Sequence, residues 1–97
     1  MNYEISALAL EDIDSIWEYT TENWSNKQAE KYYKDVFSAI EHICQNPDIG
    51  KSITEIKEHH RRKLVGSHMI IYKCQKETIF IDRILHQRMD LESNLDA

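Results

Sequence analysis

Thr78-Ile-Phe-Ile-Asp-Arg-Ile-Leu-His-Gln-Arg-Met-Asp90 is the stretch whose reading decides the fold of this chain. Ile79, Phe80, Ile81, Ile84 and Leu85 give it the β-branched and aromatic content of a buried strand, running from Thr78 to about His86. Strict alternation puts Ile79, Ile81, Arg83 and Leu85 on one face and Phe80, Asp82, Ile84 and His86 on the other. Both faces are partly apolar, so the pattern does not say which one meets the rest of the protein. Arg83 and His86 fall on opposite sides unless a bulge intervenes.

Upstream of this strand, Gln75-Lys76-Glu77 reads as a turn and His68 to Cys74 as a second strand. Gly66-Ser67 is a two-residue turn of the kind hairpins prefer, and Arg61 to Val65 completes a three-strand meander. Before it, Asn46-Pro47-Asp48-Ile49-Gly50 stops a helix with residues that favour a turn. That helix starts at Ser25, which forms a capping box with Gln28. Ala29, Tyr33, Val36, Phe37, Ile40, Ile43 and Cys44 make its apolar stripe.

An earlier helix runs from Ala7 to about Trp24, capped by Ser6, with Ala9, Ile13, Ile16, Trp17 and Thr20 at helical spacing. Asp12 is read as an early-turn carboxylate that complements the helix dipole. Residues 2–6 form a short first strand, and a tail helix fits Met89 to Leu95. The order is β-α-α-β-β-β. It predicts an α+β fold, a helical hairpin packed on one side of a small, mainly antiparallel sheet, in a single domain spanning 1–97.

Composition agrees with one core. A chain of 97 residues buries only about two-thirds of its unfolded surface, so a second core is out of reach. No run approaches the roughly 18 apolar residues that cross a bilayer, and the start lacks the blocks of a secretory signal, so a cytoplasmic location is expected. Cys44 and Cys74 have no zinc-finger partners and are expected to be free, buried thiols. Charge is uneven: residues 1–56 carry eleven acids against four lysines, and residues 57–97 six acids against eight lysines and arginines. One face is therefore open to a polyanion or an acidic peptide.

Three groups of residues offer chemistry. Lys57, His59, His60, Arg61, Arg62 and Lys63 form the densest basic patch, suited to phosphates or carboxylates, or simply to keeping an edge strand soluble. His86, with Arg83 and Arg88, could transfer protons beside cations, as a metal-independent ribonuclease requires, or could be a half-buried histidine bonded to backbone. His59-His60 could ligate a metal, but adjacent strand residues point apart; no metal and no cofactor is expected. Glu11, Asp14, Glu18 and Glu22 read as a solvated helix face, and Trp17, Trp24, Tyr32, Tyr33 and Phe37 as core and rim of the hairpin rather than a base-stacking platform. A nucleophile elbow, a Gly-rich phosphate loop and a zinc-protease helix are absent.

In order and spacing the chain resembles ParE-type toxins of the RelE/ParE superfamily. The resemblance rests on Tyr3-Glu-Ile-Ser6, Ala9 with Asp12-Ile13 and Ile16, Gln28-Ala29-x-x-Tyr32 and Asn46-Pro47-Asp48-Ile49-Gly50. It rests further on Ser67-His68-Met69-Ile70-Ile71-Tyr72 and, most specifically, Arg83-Ile84-Leu85-His86-Gln87-Arg88-Met89-Asp90. It implies the toxin of a type II toxin–antitoxin pair that inhibits DNA gyrase, assists plasmid stabilisation and is neutralised by a ParD-like antitoxin. The alternatives it implies are a RelE-like ribosome-dependent endoribonuclease, with Arg83 and His86 catalytic, or an inactive toxin that only binds antitoxin. The lysine-rich second helix and C-terminal catalytic tyrosine of such nucleases are missing, which favours the ParE branch. Under this resemblance Arg61, Arg62, Lys63, Trp17 and Tyr33 are the expected antitoxin contacts, and Arg83, His86 and Arg88 the expected target contacts. Sequence-specific nucleic-acid binding is not expected.

Overall fold

The computed structural model describes residues 1–95, so the last two positions of the expected 1–97 domain lie outside it. Strand β1 (Asn2–Ile5) leads into helices α1 (Ala7–Asn23) and α2 (Asn26–Gln45), then a 3-10 turn at Pro47–Ile49. The chain continues through β2 (Lys51–Ser52), β3 (His60–Val65), β4 (His68–Gln75), β5 (Thr78–His86) and a short α3 (Leu91–Asn94). The sheet order is β1-β5-β4-β3-β2, with β1 parallel to β5 and every other pair antiparallel. This is the expected α+β fold, a helical hairpin on a five-stranded mixed sheet. The two-residue β2, paired with Arg61 and Arg62, is the strand that sequence periodicity is too short to show.

Local chemistry sets the element ends. Ser6 caps α1 by accepting the Ala9 amide at 3.0 Å, and its hydroxyl donates to the Asp82 carbonyl at 2.7 Å, tying the helix start to β5. The Ser25–Gln28 capping box is present in both directions, at 3.2 and 3.3 Å. Gly66 has φ +55° at the first turn position between β3 and β4, the pattern of a type II′ hairpin. The next hairpin turn is made by Lys76 (φ 51°) and Glu77 (φ 61°), two non-glycine residues in left-handed conformation.

A bulge reorganises the decisive strand. Tyr72 pairs with Ile81 while its neighbour Ile71 pairs with Arg83, leaving Asp82 as the extra residue on β5. The expected alternation therefore breaks. Ile79, Ile81 and Ile84 face the helices in one core with Ala9, Ile13, Val36, Ile40 and Ile43. Leu85 instead joins Ile53, Met69, Ile71 and Leu95 in a second core on the opposite face. That face is covered by the segment after β2, through Ile53 and Ile56, and by α3 through Leu91. The sheet is buried on both sides: the hairpin packs on one, as expected, and the second core on the other overturns the expectation of a single core.

Three other expectations shift. Tyr33 stands at the rim of the hairpin, 42% exposed, not within the core stripe. Asp12 sits in the second turn of α1, beyond the reach of the helix start, and serves Arg83 and Ile84 instead. Both cysteines are free, but Cys74 is exposed near the end of β4 and only Cys44 packs against the core.

Candidate functional site

The two helices leave an aromatic groove on their outer side. Trp17 of α1 meets Tyr33 of α2 edge-on at 5.6 Å between ring centroids, and Tyr33 lies 4.9 Å from Phe37. Trp17 and Tyr33 remain 37% and 42% exposed, and together with Asp14, Glu30 and Lys34 they line a depression of about 360 Å³. Large aromatics held this open on a helical hairpin are the residues that anchor protein partners. Further along, Trp24 packs edge-on against Tyr32 at 5.5 Å.

Strand β3 divides its basic residues between the faces of the sheet. Arg61 pairs with Tyr72 and Lys63 with Ile70, both helix-side residues, whereas Arg62 pairs with Ile71 of the second core. Arg61 donates to the Gly50 carbonyl at 2.8 Å and lies 3.5 Å from the exposed Asp48 carboxylate. The Arg62 guanidinium reaches the Met69 sulfur at 3.7 Å. Arg61 and Lys63 thus present one basic face, and Arg62 does not share it.

His60 occupies the same face as Arg62 and is 4% exposed. Its Nδ1 lies 2.8 Å from the Glu58 carbonyl and its Nε2 2.5 Å from the Asp82 carboxylate, so both ring nitrogens meet acceptors. Lys57 adds a 3.3 Å contact to the same carboxylate. Burial alone would raise the Asp82 carboxyl, but the hydrogen bond and charge of His60, with Lys57, outweigh it and hold it below the usual carboxylate range. The bulge residue is thereby the anchor for the loop that precedes β3.

At the exit of β5 the three singled-out residues separate. Arg83 grips Asp12 of α1 and donates to the Asn94 carbonyl at 3.2 Å. His86 lies on the helix side, opposite His68 of β4, with ring centroids 5.3 Å apart. Arg88 is exposed beyond the strand, its amide donating to His86 Nδ1 at 3.1 Å. Arg83 and His86 are on opposite faces, and the guanidinium that a phosphoryl transition state would need is held by a carboxylate. His68 in turn contacts Tyr32 at 2.6 Å, and burial followed by the nearby His86 lowers its pKa. Among the described residues no group of three or more His, Cys, Asp and Glu side chains is placed to hold a metal ion.

The pairs His60–Asp82 and His68–His86 escaped the sequence reading because the loop before β3 sets the first and the bulge in β5 sets the second. The capping and turn signals did carry the frame on which they sit.

The helical hairpin on a mixed sheet defines the class, the RelE/ParE-like fold. A solved chain described as the chromosomal ParDE TA system from P. aeruginosa superposes with a TM-score of 0.76 at 17% identity, over 89% of this chain and 95% of that one. Residues 3–91 match the family described as ParE toxin of type II toxin-antitoxin system, parDE. Toxin ParE1 of Mycobacterium tuberculosis H37Rv is 38% identical over 94 residues, covering 96% of each chain. Toxin ParE1 of Caulobacter vibrioides is 32% identical over 93 residues, again covering 96% of each. The chain belongs to the ParE toxin family of type II toxin–antitoxin systems.

Proposed function

We propose that this toxin acts as an inhibitor of DNA gyrase and is neutralised by a ParD-like antitoxin. The observation that carries the reading is the contrast between two regions. The hairpin offers exposed, mutually packed aromatics next to a groove, while the sheet separates Arg83 from His86 and engages Arg83 with Asp12. Binding chemistry is assembled, and the paired acid–base and cationic groups of a nuclease are not.

The antitoxin's C-terminal segment docks through an apolar helix on Trp17 and Tyr33 and through acidic side chains on Arg61 and Lys63. Helix and strand are both available to it, because β2 covers only the Arg61 and Arg62 end of β3. The target face is then the β5 exit, with His86 and Arg88 accessible and Arg83 in a supporting role.

Purified toxin added to gyrase and relaxed plasmid tests the reading. Loss of supercoiling with accumulation of cleaved DNA, reversed by stoichiometric antitoxin, is the expected result. Undisturbed supercoiling together with messenger-RNA cleavage in a translating extract would replace it with the endoribonuclease reading.

A further inference from the structure

The β4–β5 pair ends in two facing imidazoles that neither antitoxin docking nor the core requires. His68 and His86 are direct cross-strand partners, with ring centroids 5.3 Å apart and planes at 79°. Both line one cleft of about 220 Å³ with Asp12, Ile16, Tyr19 and Met89. A tetrahedral ion bound to two imidazole nitrogens at about 2.05 Å places the two centroids about 5.2 Å apart. The observed spacing leaves room for such an ion between the rings.

Hydrogen bonding prepares the His68 ring. The Tyr32 hydroxyl contacts the Val65 carbonyl at 3.1 Å, the Ser67 amide at 3.0 Å and His68 Nδ1 at 2.6 Å. A carbonyl only accepts and an amide only donates. All three contacts are satisfied together when the hydroxyl proton goes to Val65 and Nδ1–H of His68 donates to the Tyr32 oxygen. Nε2 of His68 then carries the lone pair, and an orienting hydrogen bond on the other nitrogen is the usual support of a metal-bound histidine. The Asp12 carboxylate lines the same cleft.

We propose that His68 and His86 form a two-imidazole site for a divalent ion of the zinc, copper and nickel class, bound through both Nε2 atoms. The remaining positions go to water, with the Met89 thioether on the same cleft wall. Nδ1 of His86 accepts the Arg88 amide at 3.1 Å, which leaves the proton on Nε2. On binding, that proton moves to Nδ1 and the exposed Arg88 amide passes to solvent. The competing explanation of the contact is plain edge-to-face packing of two rings.

Zinc is the probe. One ion per chain is expected by calorimetry at pH 7.5, with saturating changes in the ring-nitrogen resonances of His68 and His86 in the unmodified protein. His68→Gln and His86→Gln, checked for folding by circular dichroism, should each weaken binding at least about tenfold, and His59→Gln on the exposed loop should not. No saturable binding up to millimolar zinc, or ring changes at His42, His59 or His60 instead, would overturn the site. The resonance measurement needs no variant, so a misfolded substitution leaves it decisive. Gyrase inhibition is not a readout, and the result stands apart from the proposed target.

Discussion

The guanidinium of Arg83 forks onto the carboxylate of Asp12 across 71 residues of sequence, with Nε donating to Oδ2 at 2.8 Å and Nη2 to Oδ1 at 3.0 Å. The same Oδ2 accepts the Ile84 amide at 2.9 Å, on the stretch of β5 that runs on after its pairing with β1 ends at Ile81. One carboxylate thus closes a bare sheet edge, fixes α1 and holds a half-buried cation. Removing it takes the fork away from a cation that keeps its Asn94 contact, and takes the side-chain acceptor from the Ile84 amide. Asp12→Ala should cost about 2–4 kcal/mol, read as a lower urea midpoint with unchanged slope. A loss below about 0.5 kcal/mol, typical of a surface substitution, would show that the fork is peripheral.

The turn between β4 and β5 holds strain that can be released. Lys76 and Glu77 both have positive φ, at roughly 1–2 kcal/mol each for a residue with a Cβ. Lys76→Asn with Glu77→Gly installs the pair that this turn prefers. The double variant should gain about 1–2 kcal/mol by thermal or denaturant melting. A loss of stability would mean that the two side chains make contacts worth more than the strain.

Gly66 cannot take a side chain. An added Cβ would sit 2.4 Å from Tyr32 Cε1 and 2.7 Å from its hydroxyl, at a φ of +55°. Gly66→Ala should therefore destabilise by more than about 1 kcal/mol and displace Tyr32 from His68. The displacement is visible as a change in the His68 ring resonances. If those are unmoved, the Tyr32 contact does not depend on this turn.

Asp82 ties stability to acid. Its carboxyl is lowered when folded, so the unfolded chain takes up the proton first as pH falls. Its contribution is complete above the ordinary value of 3.8 and is lost as pH drops below that through the lowered folded value. Asp82→Asn should be less stable than the parent at pH 6, and the gap should narrow below pH 3.8. A gap that is constant across the titration would remove the His60 and Lys57 pairing as its cause.

Antitoxin binding should separate the two sides of β3. Arg61→Glu and Lys63→Glu are expected to weaken the complex more than Arg62→Glu, because only the first two share the helix-side face. Trp17→Ala and Tyr33→Ala should each cost about 2 kcal/mol of binding with little loss of fold, as both rings are exposed. Calorimetric titration with the antitoxin segment measures both. Equal effects at all three basic positions would point to general charge instead of a docked face.

Local signals were legible because they act within a few residues. Ser25 and Gln28 are three apart, and the capping box forms as their side chains reach the nearest orphan amides. Gly66 marks a turn since its φ suits few other residues. The helical stripes through Ile13 and Ile40 follow from the 3.6-residue repeat and a need for burial. The rim position of Tyr33 was not legible, for a stripe shows which side of a helix is apolar but not where the neighbouring helix ends its cover.

Element order, the caps, the hairpin turns and the family resemblance were determined by the sequence, all through interactions of short range or fixed spacing. The register beyond Asp82 was decided only in three dimensions. Counting from the Gln75–Thr78 pair without interruption sets His68 opposite Leu85; the bulge advances β5 by one residue and brings His86 there instead. The same step sends Leu85 to the second core and brings Ile84 into the first. Nothing local specifies that slip. It follows from two cores that must both be filled, and from an Asp82 carboxylate that meets His60 and Lys57 at the bulge.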